Sequence, residues 1–529
     1  MRPMKPFDEQ GAFRVATDLG GLRRVAVRGA GVTALSQSLG FAIQLIATMI
    51  LARLLTPADF GLVAMVTTFS LLLMNVGFNG VTEAVVQREQ IDHGLASNLF
   101  WINVGIGFVL TIGFAAAGSL LARFYGDARI GPVAVAMSAT IFLSSASVMH
   151  LALLKRALRF SRVSANDLIA RAMSVIVSIV FGWAAWGYWA LVAGAIALPL
   201  TTCTGAWIRC RWLPGLPRRR AGTGEMVRFA MNTYGHFAAN YCTRNLDNFL
   251  VGWFFGPQSL GLYKKAYDLC VLPVAQLSDP LNSVALPVLS RLAADPERYR
   301  RYALRALSTL AFVGMGLGAS LALAGKDLML VILGPRWVES GKIFTFFAPG
   351  IGALLIYFAY GWIHLSLGRP DRLFRWGLIE FTVIGMLFVL FLPWGPVGIA
   401  MAWVVSSWLL AIPALWYAGR PAGLGAGAIV VAVWKYVCAS ALAGGTAGLI
   451  LRQIPSLMTA PGWVGAVDRS LAVSALFAAL YLGAVILLHG GCEPLRQIAS
   501  LASDMVPGRQ RRSLPAVWVT PDASERAVI

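Results

Sequence analysis

Apolar positions along this chain run in unbroken blocks of twenty or more residues, separated by short polar or Pro/Gly-containing turns. The blocks fall near 29–52, 61–87, 96–121, 132–152, 162–182, 188–208, 226–254, 261–290, 303–324, 342–367, 373–393, 396–418, 426–451 and 467–489. Each is long enough for a helix to cross a hydrocarbon core, which takes about 20 residues. None alternates apolar with polar positions over about ten residues, so a transmembrane barrel is excluded. The pattern predicts an all-α integral membrane protein of about 14 transmembrane helices.

A second pattern lies over the first. Pro57-Ala58-Asp59-Phe60-Gly61-Leu62 returns as Pro257-Gln258-Ser259-Leu260-Gly261-Leu262, each time between two apolar blocks. Trp186-Gly187 and Trp394-Gly395 occupy matching turns, and Phe124-Tyr125-Gly126 has a weaker echo in Ile332-Leu333-Gly334. A common offset of about 200–210 residues suggests two related halves with a substrate path between them, as secondary transporters are commonly built.

Composition agrees. The chain of 529 residues is 58% hydrophobic and 13% charged, with mean hydropathy +0.70, against roughly 45–50% and 25% in soluble domains. The net charge of +20 sits in the connections and reads as membrane topology rather than nucleic-acid binding. One set of loops holds Lys155, Arg156, Arg159 and Arg162; Arg209, Arg211 and Arg218 to Arg220; Arg291, Arg298, Arg300 and Arg301; and Arg369, Arg372 and Arg375. Loops 183–187, 255–260 and 393–395 of the other set hold no Lys or Arg. The basic set is expected on the cytoplasmic side, which with an even number of spans puts both termini there. Residues 7–28 read either as an amphipathic helix on the inner leaflet or as a solvated basic leader. No cleavable signal precedes the first span.

Several chemistries lack their motifs. No Gly-x-x-x-x-Gly-Lys-[Ser/Thr] phosphate loop occurs, and Gly325-Lys326 lacks both the upstream Gly and the hydroxyl residue. His93, His150, His236, His364 and His489 show no zinc spacing. The six scattered cysteines read as packing residues. The longest extracytoplasmic loops, near 325–341 and 452–466, leave no room for a catalytic domain, so binding and translocation remain.

Ionisable groups at membrane depth cost at least about 2.5–3.5 kcal/mol each, so each needs a reason. The richest cluster is Asn240, Arg244, Asp247 and Asn248 in the seventh span with Lys264, Lys265 and Asp268 in the eighth. Positions 240, 244, 247 and 248 share a helical face. The cluster admits two readings. One is a self-neutralising network, Asp247 with Arg244 or a lysine and Asp268 with Lys264. The other is a cationic face toward a central cavity, where Arg244 and a lysine meet an anion such as a diphosphate. Arg171 either pairs with Asp167 or lines the path. Glu83, Glu380 and Asp268 are candidate coupling or structural groups. Gln44, Asn75, Asn79, Asn103 and Asn232 read as helix–helix hydrogen bonds or cavity polarity. The tryptophans at 183, 186, 189, 253, 394 and 463 read as an interfacial belt.

These residues also carry a family resemblance. The run Leu51-Ala52-Arg53-Leu54-Leu55-Thr56-Pro57-Ala58-Asp59-Phe60-Gly61-Leu62 resembles the first hairpin of bacterial polysaccharide exporters of the Wzx type, in the multidrug/oligosaccharidyl-lipid/polysaccharide exporter superfamily. The likeness continues through Val86-Gln87-Arg88, Leu99-Phe100-Trp101-Ile102-Asn103, Arg244-Asn245-Leu246-Asp247-Asn248, Leu286-Pro287-Val288-Leu289-Ser290-Arg291, Leu333-Gly334-Pro335-Arg336-Trp337 and Leu367-Gly368-Arg369-Pro370-Asp371.

The resemblance implies two pseudo-symmetric six-helix lobes plus two C-terminal helices. It divides the chain into a basic cytoplasmic segment 1–28, a first lobe 29–208, a basic linker 209–225, a second lobe 226–418, the last two spans 426–489 and a cytoplasmic tail 490–529. It implies a flippase, not an enzyme, moving undecaprenyl-diphosphate-linked oligosaccharide across the bacterial inner membrane for exopolysaccharide or lipopolysaccharide biosynthesis. The expected site residues are Arg244, Asp247, Lys264, Lys265, Arg171 and Asn240. No metal or cofactor is expected, the drive being an ion gradient or the membrane potential. Expected partners are the lipid-linked substrate, membrane lipid and polysaccharide polymerase or export machinery, with no nucleic acid. A cation-coupled multidrug exporter of the same superfamily and a membrane glycan polymerase or ligase are the alternatives.

Overall fold

A single glycine divides the longest helix of the molecule and thereby makes a hairpin. In the computed structural model, which describes residues 6–7, 13, 19–87, 91–217, 223–454 and 462–496, helix α7 runs Thr223–Leu292 and is broken at Gly256, with φ 75° and ψ −178°. Pro257 follows the break, and its missing amide proton suits the first turn of the new arm.

Before it come α1 (Leu19–Leu54), α2 (Pro57–Gln87), α3 (His93–Tyr125), α4 (Ile130–Arg156), α5 (Phe160–Trp183) and α6 (Tyr188–Cys210). After it come α8 (Pro296–Leu333), α9 (Val338–Phe347), α10 (Gly350–Ser366), α11 (Pro370–Phe391), α12 (Gly395–Gly419), α13 (Ala426–Arg452) and α14 (Gly462–His489). No strand occurs among the described residues. The helix ends follow local chemistry. Asp92 accepts the amide of Leu95 at 2.6 Å and Asp295 that of Arg298 at 3.1 Å, both at N-caps. Matching turns of the two halves end alike, with positive φ at Gly126 and Gly334 and at Gly187 and Gly395.

Helices α1–α6 pack among themselves and α7–α12 among themselves, and the two sets meet chiefly where α2 lies against α7. One apolar core runs through this seam, joining Leu62, Met65 and Val66 of α2 to Val251, Leu260 and Tyr263 of α7. Helices α13 and α14 pair with each other and lean on α8. Tyr481 donates to the carbonyl of Phe312 at 2.7 Å, the hydroxyls of Ser308 and Tyr436 lie 2.9 Å apart, and Arg469 grips Asp327 at 2.7 Å.

The protein is a multi-pass membrane protein. Large apolar side chains such as Phe108, Leu120, Leu378, Leu390 and Leu449 stand exposed along its helices, as a lipid-facing surface requires. Apolar length alone singles out ten spans among the described residues, or eleven with the α9–α10 pair, which is bent by 54°. That is fewer than the fourteen read from the sequence for two reasons. The charged arms of α7 fail the apolar test, and residues 371–422 count as one stretch. The loop expected at 325–341 is largely helix, because α8 continues to Leu333 and α9 begins at Val338. Arg218 to Arg220, most of the N-terminal leader and the tail beyond 496 lie outside the described residues.

Candidate functional site

The repeated Pro–Gly segments meet. A methyl group built on Gly61 would overlap the carbonyl oxygen of Pro257 and lie 2.8 Å from the amide nitrogen of Gly261. A methyl on Gly261 would overlap the carbonyl oxygen of Pro57 and lie 3.1 Å from the nitrogen of Gly61. Backbone therefore touches backbone, reciprocally, where the first turns of α2 and of the second arm of α7 cross. Only glycine permits that approach.

Bulky groups lock the same end. Phe60 packs edge-on to Trp337, with centroids 5.3 Å apart. The buried Trp337 donates its indole N–H to the carbonyl of Ala52 at 2.8 Å, and Arg53 donates to the carbonyl of Val331 at 3.2 Å. The closure thus ties α1 and α2 to α7 and to the α8–α9 turn.

Beneath it lies a cavity of about 300 Å³ between the halves. The first half lines it with Gln44 and Thr48 of α1, Phe60, Thr67 and Thr68 of α2, and Ser174 and Ser178 of α5. The second half contributes Tyr241, Asn245, Lys264, Lys265 and Asp268 from both arms of α7. Lys264 is bonded to Asp268 at 2.7 Å. Among the described residues Lys265 forms no ion pair, and its ammonium sits 4.4 Å from the centroid of the Phe60 ring.

Arg244 and Asp247 do not open onto this cavity. They line a smaller one, about 60 Å³, within the second half, with Tyr357, Phe358, Glu380, Trp403, Ser406 and Ser407. The reading in which Asp247 pairs directly with Arg244 or a lysine finds no such ion pair among the described residues. Asp247 is buried, accepts the hydroxyl of Tyr263 at 2.8 Å and the amide of Asn248 at 2.7 Å, and so meets neutral donors. Arg244 lies over the Phe358 ring at 5.4 Å. Glu380 accepts a long hydrogen bond from Tyr360 at 3.4 Å.

The cationic cluster therefore divides because opposite faces of the α7 hairpin line the two spaces: Tyr241, Asn245, Lys264 and Lys265 face the larger, Arg244, Asp247 and Tyr267 the smaller. Arg171 is bonded to Asp167 at 2.9 Å on an exposed stretch of α5, and neither residue lines a cavity described above. Asn240 is exposed one helical turn before Arg244 and lines neither space. The side chain of Glu83 lies outside the described residues. Among the described residues no group of three His, Cys, Asp or Glu is arranged to hold a metal.

Phe60, Trp337, Tyr263 and Tyr357 were not among the site residues expected from the sequence. For Phe60 the signal was present, since it precedes Gly61 in the repeated segment. Tyr357 gave none, because aromatic residues are common throughout these helices.

A family model described as polysaccharide biosynthesis protein matches residues 50–342, more than half of the chain. The chain belongs to this family. Among characterised relatives of this family member, the succinoglycan biosynthesis transport protein ExoT of Rhizobium meliloti is 24% identical over 363 residues, 68% of this chain and 72% of that protein. The lipopolysaccharide biosynthesis protein WzxC of Escherichia coli is 24% identical over 328 residues, 60% of this chain and 65% of that protein. The fold is that of the lipid II flippase MurJ in an inward closed conformation, with a TM-score of 0.68 over 86% of this chain and 99% of that one, at 13% identity. The resemblance read from the hairpin motifs is borne out, and so is the all-α, two-halved transporter fold.

Proposed function

We propose that the protein is a transporter that moves an undecaprenyl-diphosphate-linked oligosaccharide repeat unit across the bacterial inner membrane, for exopolysaccharide or lipopolysaccharide biosynthesis. The observation that carries this reading is the cavity between the halves, which holds two lysines against a single carboxylate and is closed at one end by the Gly61–Gly261 contact. The relatives are named for transport in succinoglycan biosynthesis and for lipopolysaccharide biosynthesis, which agrees with a lipid-linked glycan as cargo.

In this reading the diphosphate lies against Lys264 and Lys265. The first sugar meets the amides and hydroxyls of Gln44, Thr48, Thr68, Ser174 and Asn245, while the polyprenyl tail stays in lipid. A cavity near 300 Å³ is at the small end of the usual range for ligand sites, which suits the diphosphate end rather than a whole repeat unit. Cations at that depth repay their cost by replacing the water around a phosphate. Arg244, Asp247 and Glu380 form a separate charged site inside the second half. We assign them, with Asp268, to coupling or to holding the second half together. Arg171 and Asn240 are placed on the approach to the cavity, and Glu83 remains a coupling candidate.

The Gly61–Gly261 end faces outward and both termini face the cytoplasm, following the distribution of basic loops. Transport then proceeds by rocking of the halves, driven by an ion gradient or the membrane potential, and delivers substrate to the polymerisation and export machinery. The test is the leaflet location of the lipid-linked repeat unit in a deletion strain. Accumulation on the cytoplasmic face, relieved by the wild type but not by Lys264→Ala at equal protein level, supports flipping. Normal delivery to the outer face with unlinked repeat units accumulating there would assign the protein to polymerisation or ligation instead.

A further inference from the structure

Among the described residues Lys265 is the cavity lysine in direct contact with no carboxylate. Lys264, beside it, is bonded to Asp268 at 2.7 Å. Among the described residues Lys265 makes neither an ion pair nor a hydrogen bond, and its ammonium rests on the face of Phe60 at 4.4 Å. That ring comes from the other half of the molecule. It is also part of the closure: Phe60 precedes Gly61, packs edge-on to Trp337, and Trp337 is fixed to Ala52. The same ring is thus a wall of the cavity and a component of the gate above it.

We propose that Lys265 and Phe60 form an anion-released latch, in which a diphosphate entering the cavity draws the Lys265 ammonium off the ring and loosens the contact between the halves. The physical reason is a competition for one cation. A ring face offers only a quadrupole, whereas a diphosphate offers full negative charge and charge-assisted hydrogen bonds. In the closed form Lys265 is shared between ring and anion. In the open form it belongs to the anion alone. The anion therefore binds the open form more tightly, which is the differential affinity that any ligand-driven opening requires. Coupling is reciprocal, so weakening the latch by substituting Phe60 strengthens anion binding. The identity of the anion rests on the proposed function, but the latch is a property of the cavity and gate.

The test uses the full chain in lipid nanodiscs with inorganic pyrophosphate as the probe. Binding is followed by calorimetry and gate opening by hydrogen exchange in the segments around Gly61 and Gly261. Pyrophosphate is expected to speed exchange in the wild type. Phe60→Leu, which keeps bulk and removes the ring, is expected to exchange roughly 2- to 30-fold faster without pyrophosphate, to bind it more tightly, and to respond little further. Phe60→Tyr keeps a ring face and is expected to behave as the wild type. Lys265→Met removes the other partner and provides the same release of the gate if Phe60→Leu does not fold.

Binding without faster exchange in the wild type, or a Phe60→Leu response equal to that of the wild type, overturns the latch and leaves the transport reading standing. Absence of pyrophosphate binding, or binding by both Lys264→Ala and Lys265→Met equal to that of the wild type, removes the anion cavity and the latch together.

Discussion

Gly61 and Gly261 close the space between the halves by direct backbone contact, each standing where a side chain would enter the other's Pro–Gly turn. Neither position tolerates a methyl group without separating the halves, because the atoms in its way are carbonyl and amide groups rather than a flexible side chain. Gly61→Ala and Gly261→Ala are therefore expected to disfavour the closed form. At about 1–3 kcal/mol for overpacking, the open population rises roughly 5- to 150-fold. Faster hydrogen exchange in both Pro–Gly segments, with membrane insertion and protein level unchanged, is the expected result. Wild-type exchange in both variants would show that this end is not the gate.

The repeat itself was legible in the sequence, since a Pro–Gly turn recurring about 200 positions later is a local device repeated. Its consequence was not. That Phe60 would cover Lys265 depends on how the halves dock, and residue order alone carries no information about that docking. The bond between Lys264 and Asp268 followed from four-residue spacing on one helix. The partner of Asp247 did not follow, because Tyr263 lies sixteen residues on, across the break at Gly256. Likewise the cationic reading put Arg244 and a lysine in one cavity, yet residue order does not fix which way a helical face turns.

Asp268 sets how much of the cavity charge is free. Asp268→Asn releases Lys264 from its 2.7 Å bond and raises the local positive charge. Pyrophosphate binding is expected to tighten by up to roughly fivefold at low ionic strength, since the pair is partly solvated and worth at most about 1 kcal/mol. The gain is expected to shrink as salt rises. Calorimetry over a salt series checks this, and weaker binding by Asp268→Asn would mean that the carboxylate positions Lys264 rather than neutralising it.

The turn joining α3 to α4 carries a pH-dependent contact. Asp127 takes both a guanidinium and a backbone N–H from Arg129, at 2.7 Å for the shortest guanidinium contact. The hydrogen bond from the Arg129 side chain holds its carboxyl below the ordinary 3.8. A carboxyl depressed in the folded protein contributes its stability in full above the unfolded value and loses it as pH falls through the folded one. Stability is therefore expected to be insensitive to this group at neutral pH and to drop below about pH 4, where Asp127→Asn should flatten the dependence. Thermal unfolding between pH 3 and 6 is the measurement. An identical acid limb in wild type and variant would assign that limb to other carboxylates.

The last two helices are held by a charge pair that their apolar faces alone would not require. Arg469 of α14 reaches Asp327 of α8 with two nitrogens, at 2.7 and 3.1 Å, and the side chains are only 12% and 23% exposed. Removing Arg469 takes from Asp327 its bidentate counter-ion at the α8–α14 seam. Arg469→Leu is expected to cost about 2–3 kcal/mol, below the roughly 3–5 kcal/mol of fully buried pairs because some water reaches this one. Asp327→Leu in the same chain is expected to recover much of the loss, since the doubly apolar seam contains no stranded charge. Thermal unfolding of the two single variants and the double variant completes the cycle. If the losses simply add, the pair contributes no coupling, and the hydrogen bond from Tyr481 to Phe312 with apolar packing against α8 must hold α14 in place.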